Sequence, residues 1–493
     1  MTEERRNDEV SSLKARTTRG MLWGGLSNAL TQLLNLAFGI VLARNLSAAD
    51  YGMVGMLAVF TALAGTLQEG GFISALANRK NASHADYNAV FWFSLGMGCA
   101  LYAVLFCCAP LIARFYGEPR LIPLSRYLFL GFLLASTGVA HSAYLFRNLM
   151  VRQRTMGIVP ALVVSGGIGI AMACSGYAYW GLATQSIVYI GVCNAFYWYF
   201  SDFRPTLPVS FRPIREMFGF SSRLLVTNVF FQFNNNLLST LLGRFYTPAD
   251  VGSFTQSNKW NMMAHSLVSG MAGSVAQPVL ASVGDDRERL CRVLQKMLSF
   301  MAFLSMPAML GLALISRELI LITIGPRWES CVPMLQLLCL WGAVEPLKQL
   351  YTNLLLSRGR SDLYLWNTVA LSLAALALTL ILAPLGLRVM LAGFVALNVG
   401  WTAVWQWFVR QTAGLGYRAA LGGVLPFALA AGASVAAVGW LTRGMEGLWG
   451  PMLAKIAATA VLYVGILGLS GSAILRESLA YFGTRFGGSA KKN

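Results

Sequence analysis

The chain has 493 residues, of which 56% are hydrophobic and 12% charged, with a formal net charge of +18. A soluble domain carries about 25% charged residues, so a chain this poor in charge cannot coat its own surface, and lipid must be the solvent for most of it. Apolar runs of about 20 residues recur along its length, each able to cross ~30 Å of hydrocarbon as a helix; short alternating strands, the mark of a membrane barrel, are missing.

A basic segment, 1–19, comes first. The apolar run that follows is too long for a signal peptide, lacks a small-residue cleavage site and leads directly into further runs. Fourteen spans are predicted, at about 20–43, 52–72, 88–112, 121–146, 156–176, 179–200, 220–243, 251–279, 294–316, 333–357, 362–383, 389–409, 419–441 and 449–472. One set of alternate loops holds 25 Lys and Arg residues and the other 8. That bias predicts both termini in the cytoplasm. No loop offers a soluble domain in which to house catalysis. The connection 201–219, with Pro205, Pro208 and Pro213, reads as a linker. The eight cysteines show no CxxC or metal-type spacing and read as small core residues. No GxxxxGK[ST], HExxH or GxSxG motif occurs. Asp285-Asp286 reads as solvated surface charge.

Residues 20–52 and 220–252 repeat one pattern at an offset of 200 positions. Asn28, Gln32, Asn35, Arg44, Asp50 and Gly52 return as Asn228, Gln232, Asn235, Arg244, Asp250 and Gly252. On a helix, the first three of each copy fall within about 60° of arc. Unpaired amides are costly in hydrocarbon. Two readings fit: hydrogen bonds between helices, or the wall of a hydrated lumen at a repeat interface, where amides suit sugar hydroxyls. Ser47 to Asp50 and Thr247 to Asp250 match a capping box with Asp in place of Glu or Gln. Pro248 then stands at the first helical position. Arg44 and Arg244 stand before these turns at the outer mouth, where they either snorkel or meet a departing anionic ligand.

Five basic residues, Arg126, Arg223, Lys259, Lys348 and Lys455, lie within spans, against fewer acids, chiefly Glu69 and Glu345. Lys348 follows Glu345 by three residues and can pair with it. Lys259 has no acid within a turn on its own span and sits near mid-membrane. Arg223 precedes Asn228 near the cytoplasmic end. A net positive lumen attracts phosphate or an acidic sugar. His141 and His265 read as hydrogen-bonded packing residues or proton relays. Trp260, Trp341 and Trp366 read as interface anchors or sugar-stacking platforms.

The turn from Arg44 to Gly52 (R-x-L-S-x-x-D-Y-G), Asn78-Arg79-Lys80, and Gly325-Pro-Arg-Trp328 leading to Pro333-Met-Leu-Gln-Leu-Leu resemble the polysaccharide-transporter branch of the MOP exporter superfamily, in particular Wzx-type flippases of the colanic-acid and lipopolysaccharide kind. The second copy of the turn departs from the first, with Val251 for Tyr51 and Phe245-Tyr246 for Asn45-Leu46. The resemblance implies an all-α membrane protein of about 14 transmembrane helices. These would form two pseudo-symmetric six-helix bundles, 20–200 and 220–410, joined by 201–219, with two additional helices in 411–472 and a cytoplasmic tail, 473–493. In related lipid flippases the last two helices make a groove for a lipid tail.

The expected activity is flipping of an undecaprenyl-diphosphate-linked oligosaccharide across a bacterial inner membrane by alternating access. The expected substrate-binding residues are Asn28, Gln32, Asn35, Asn228, Gln232, Asn235, Arg223, Lys259, Lys348, Arg44 and Arg244. Glu69, Glu345 and His265 are the candidates for coupling to H+ or Na+, and no other cofactor and no nucleic acid is expected. Membrane lipids, a polysaccharide polymerase and glycosyltransferases are the expected partners. The alternatives are a cation-coupled drug or metabolite exporter, whose cavity would favour acids over bases, and a membrane polysaccharide polymerase, which would need a sizeable outer loop.

Overall fold

The computed structural model describes residues 30–70, 72–79, 82–148, 150–207, 210–283, 286–472 and 474–477. The described residues are almost wholly helical and contain no strand. The protein is an all-α membrane protein, and its chain divides into two compact units at Gly252 and Ser253.

The first unit holds α1 (30–45) and α2 (Ala48–Glu69), α3 (Phe72–Asn78), α4 (His84–Tyr116), α5 (Leu121–Leu128), α6 (Leu130–Arg147), α7 (Val151–Cys174), α8 (Tyr179–Phe200) and α9 (Arg212–Phe245). Breaks within spans follow local chemistry. Gly70, in the left-handed region at φ 54°, ends α2 and donates its N–H to Thr66, so the second pass continues as the short α3. The fourth pass is split at Phe129 into α5 and α6. Ser47 and Asp50 form the expected reciprocal cap, with the Asp50 carboxylate accepting from the Ser47 N–H at 2.9 Å and from its hydroxyl at 2.6 Å. Thr247 and Asp250 repeat it, at 3.1 and 2.7 Å, and Pro248 is the first residue of the helix that follows.

The segment 201–207 is docked rather than a free spacer. Asn88 and Thr206 exchange two hydrogen bonds of 2.9 Å, side-chain amide to backbone carbonyl and backbone N–H to side-chain carbonyl. Tyr144 donates to Asp202 at 3.0 Å. Phe203, 3% exposed, packs among Tyr87, Phe91 and His141. Helix α9 then starts at Arg212, inside the stretch that composition assigns to a linker, with Pro213 at a position where its missing N–H costs nothing. Its first turns bury Ile214 and Met217 in a cluster with Phe72 and Leu76. Arg79 ties them down, pairing with Glu216 at 2.7 Å and with Asp86 at 3.4 Å. Near its other end, Leu237, Leu238, Leu241 and Leu242 are buried, and Gly243 lies against Tyr116 and Met56. The seventh pass is therefore clamped at both ends within the first unit.

The second unit continues α10 (Pro248–Ser282) from Ser253 onward and adds α11 (Arg287–Thr323), α12 (Cys331–Ser357), α13 (Ser361–Leu382), α14 (Leu387–Gly400), α15 (Thr402–Ala413), α16 (Tyr417–Leu441) and α17 (Trp449–Leu469). Asp286 is not idle surface charge: it caps α11 by accepting from Arg289 N–H at 3.0 Å. Asp285 lies outside the described residues. Helix α11 is the hub, packed on α12, α16 and α17. Phe303 stacks edge-on against Phe427, and its carbonyl accepts from the Tyr463 hydroxyl at 2.9 Å.

Two sequence readings need correction. Cys193, Cys331 and Cys339 are buried, but Cys99, Cys107 and Cys174 are exposed, because a lipid-facing helix surface accepts a small apolar side chain as readily as a core does. His141 is fully buried, yet among the described residues neither ring nitrogen has a hydrogen-bond partner; Phe91, Trp198 and Phe203 box it in.

Candidate functional site

Among the described residues, nine helical stretches are long and apolar enough to cross a membrane. Helices α8, α9, α10 and α12 match the others in length but are not among those nine. Three of them carry clusters of amides and charges: Asn228 to Asn236 on α9, Asn258 to His265 on α10 and Glu345 to Asn353 on α12. Helix α8 carries Gln185 and Asn194 but no charge, and is otherwise apolar and aromatic.

The two amide faces are open. Asn28 lies outside the described residues. On α1, Gln32 is exposed and Asn35 half-buried; on α9, Asn228 and Asn235 are exposed and Gln232 half-buried. Among the described residues, none of these side-chain amides has a protein hydrogen bond. Asn236, one step along α9, instead donates to the Gln232 carbonyl at 2.9 Å. Arg223 lies on α9, and its side chain is outside the described residues. Arg44 is exposed at the end of α1. Arg244, also exposed, stands 5.7 Å from the centre of the Phe115 ring.

The intramembrane charges separate into paired and unpaired. Lys348 pairs with Glu345 at 2.7 Å and lies 5.7 Å from the Trp341 ring. His265, across on α10, stands within electrostatic range of both. Lys455 pairs with Glu318 at 2.6 Å; hydropathy put Glu318 just past the end of its span, so this pair was missed. Arg126 lies 4.2 Å over the Phe106 ring. Lys259 is different. It is half-buried on α10 and, among the described residues, has no ion pair. A charge at the bilayer centre costs at least ~2.5–3.5 kcal/mol, so an unpaired ammonium requires water or an anion.

A column of further unsatisfied groups follows Lys259. Asn258, Asn261, His265 and Ser269 fall on one side of α10, and each has a buried polar atom without a partner. Asn261 is wholly buried with both amide atoms unmet, its oxygen set against Gly342 of α12. Such groups call for internal water or a bound ligand. Sequence spacing showed Lys259 and His265 but not the column, because Asn and Ser are common in helices and only burial makes them unmet.

Among the described residues, each unit also holds a hollow. In the first, about 500 Å³ is enclosed by α2, α5, α6 and α8, with Gln68, Glu69, Ser142, Asn194, Tyr189 and Tyr197 as its polar lining. Gln68 is held there by donating to the Phe132 carbonyl at 2.9 Å. In the second, a groove of about 530 Å³ runs between α10, α11 and α17, lined by Leu304, Pro307, Gly311, Ile456 and Ala460. Lys455, Thr459 and Tyr463 are its polar residues.

A family profile described as "Polysaccharide biosynthesis protein" matches residues 41–333. The chain is 26% identical over 358 residues, 71% of this chain and 72% of the other, to Lipopolysaccharide biosynthesis protein WzxC of Escherichia coli (strain K12). Its fold is similar to that of the Lipid II flippase MurJ in an inward closed conformation, with a TM-score of 0.74 at 14% identity, covering 93% of this chain and 100% of that one. A multidrug resistance MATE family transporter of the MOP superfamily, inward-facing, shares the fold at a TM-score of 0.62 and 19% identity, over 78% of this chain and 95% of that one.

Proposed function

This chain belongs to the polysaccharide biosynthesis protein family, and from that premise we propose that it flips an undecaprenyl-diphosphate-linked oligosaccharide. The movement is from the cytoplasmic to the outer leaflet of a bacterial inner membrane, and the product feeds assembly of a surface polysaccharide. The family, the similarity to WzxC and the transporter fold shared with a lipid flippase support a transporter over a polymerase. The loop charge bias supports cytoplasmic termini.

The observation that carries the chemical reading is Lys259, an ammonium on α10 with no ion pair among the described residues, on the same helix as the unmet Asn258 and Asn261 but on a different face. Charge-assisted hydrogen bonds hold a diphosphate, and Lys259, with no ion pair among the described residues, is assigned to make them. Arg223 is assigned to the same task nearer the cytoplasm. Lys348 is already neutralised by Glu345, so its part is to hold that carboxylate. Gln32, Asn35, Asn228, Gln232 and Asn235, with Asn28, replace water around sugar hydroxyls, and Arg44 and Arg244 meet the ligand as it leaves. The apolar groove between α11 and α17 suits a polyprenyl tail. Alternating access must be driven by a difference in affinity between states or by a coupled ion. Glu69, which borders the cavity of the first unit, and Glu345 with His265 are the groups for H+ or Na+. A polymerase and glycosyltransferases would hand over and take up the lipid-linked chain. A cavity for cationic drugs would need carboxylates in excess, and a lysine with no ion pair among the described residues argues against it.

Lys259→Ala tests this reading through outer-leaflet delivery of lipid-linked glycan. A lost charged contact of about 1.5–3 kcal/mol corresponds to a loss of roughly tenfold or more, while Lys259→Arg retains most delivery. Full delivery by the alanine variant removes Lys259 from the diphosphate site.

A further inference from the structure

We propose that Gly52 and Gly252 form a reciprocal clasp that closes one end of the transport path, each glycine seated on the first backbone carbonyl of the other repeat's helix. The proposal rests on the alternating-access reading and names the residues that perform one closure.

The two glycines are the same residue of the duplicated turn. Each is the fifth residue of its helix, α2 or α10. A Cβ built on Gly52 would overlap the carbonyl oxygen of Pro248, the first residue of α10. A Cβ built on Gly252 would overlap the carbonyl oxygen of Ala48, the first residue of α2, and would touch Gly52 N at 3.0 Å. Each contact is thus the image of the other under exchange of the repeats. The Cα–H of each glycine is turned toward a backbone oxygen, the weak hydrogen bond that small residues permit where helices cross closely. Both obstacles are backbone, so no rotamer change can make room. Gly65, further along α2, has open space around its missing Cβ, so the close approach is particular to the turn.

The surroundings suit a contact that seals and parts. Leu46, Met53, Met56 and Val251 are each no more than 2% exposed, which makes the crossing dry. Two helix N-termini meet there, and their positive dipole ends repel. Asp50 and Asp250, one in each first turn and each held by its capping partner, offset that repulsion. The glycine contacts themselves contribute no ion pair and no interlocked side chain, so each is weak. Ala48, Gly52, Pro248 and Gly252 all lie within the first compact unit, so the clasp opens by a local parting of α2 from the first turn of α10, at equivalent positions of the two repeats.

The test uses the full chain with its eight native cysteines replaced and Met53→Cys as a reporter beside Gly52, a position 1% exposed. Intact cells and inside-out vesicles are labelled with a membrane-impermeant maleimide, and glycan delivery is measured in parallel. Closure protects position 53 in the parent. Gly52→Ala or Gly252→Ala raises labelling from one side only, by a shift in open population on the order of tenfold, and delivery falls with it. Gly65→Ala changes neither reading. Labelling needs no substrate, so a rise in labelling supports the clasp even if the transported molecule proves different. The clasp is overturned if both alanine variants keep position 53 protected, whatever their delivery. It is also overturned if both fail to accumulate in the membrane while Gly65→Ala accumulates, since the glycines would then serve folding alone.

Discussion

Lys455 and Glu318 are 137 positions apart in the chain and 2.6 Å apart in space, with side chains 14% and 8% exposed. Removing one member of such a pair strands the other charge, at a cost of about 3–5 kcal/mol. Lys455→Met is therefore expected to lower the thermal unfolding temperature in detergent sharply, and adding Glu318→Leu to recover most of the loss. Failure of the double variant to recover would mean that the lysine matters through packing on α11 rather than through its charge. The same logic separates Lys348 from Lys259. The first is spoken for by a neighbour on its own helix; the second has no acid to answer it among the described residues. Both look alike in the sequence as lysines in apolar runs, and only the positions of the acids tell them apart.

Helix α9 shows how an element is governed by what holds its ends. Its outer turns are buried on the first unit, and its middle carries open amides. Arg79, hydrogen-bonded at 2.7 Å, holds the Glu216 carboxyl below the usual carboxylate range. A lowered carboxyl contributes stability above its unfolded value of about 4.3 and loses it as pH falls through the lower, folded value. Acidification is therefore expected to loosen residues 201–217, seen as faster hydrogen exchange after correction for intrinsic rates. Glu216→Gln should show the faster exchange already at pH 7 and respond less to acid. Unchanged exchange in that variant would place the restraint in Phe203 and the Asn88–Thr206 pair instead. Glu216 is well exposed, so the effect is local rather than global.

For the molecule as a whole, the clustered amides and charges lie on α9 of the first compact unit and on α10 and α12 of the second. The groove between α11 and α17 is the apolar counterpart of that polarity. Gly311 lines it with open space around its missing Cβ, so Gly311→Phe should enter without disturbing the backbone and fill part of the roughly 530 Å³. The expected result is normal accumulation and stability with reduced delivery of a long-tailed lipid-linked glycan. A shortened, water-soluble analogue should be bound as before. Unchanged delivery of the long-tailed substrate would assign the groove to ordinary membrane lipid.

Composition and periodicity sufficed for the membrane class, the helical passes and the paired caps at Ser47 and Thr247, because burial in lipid and helix capping are set by residues close together in the chain. The duplicated turn was equally legible, since a repeat is a property of the string itself. The docking of 201–207, the Lys455–Glu318 pair and the unmet column on α10 were decided by the tertiary structure. Each depends on which distant group arrives within 3–4 Å, and hydropathy carries no information about that. Gly52 and Gly252 belong to both levels: their recurrence is visible in the chain, but the reason for it, a carbonyl from the other repeat lying where a side chain would be, exists only once the helices cross.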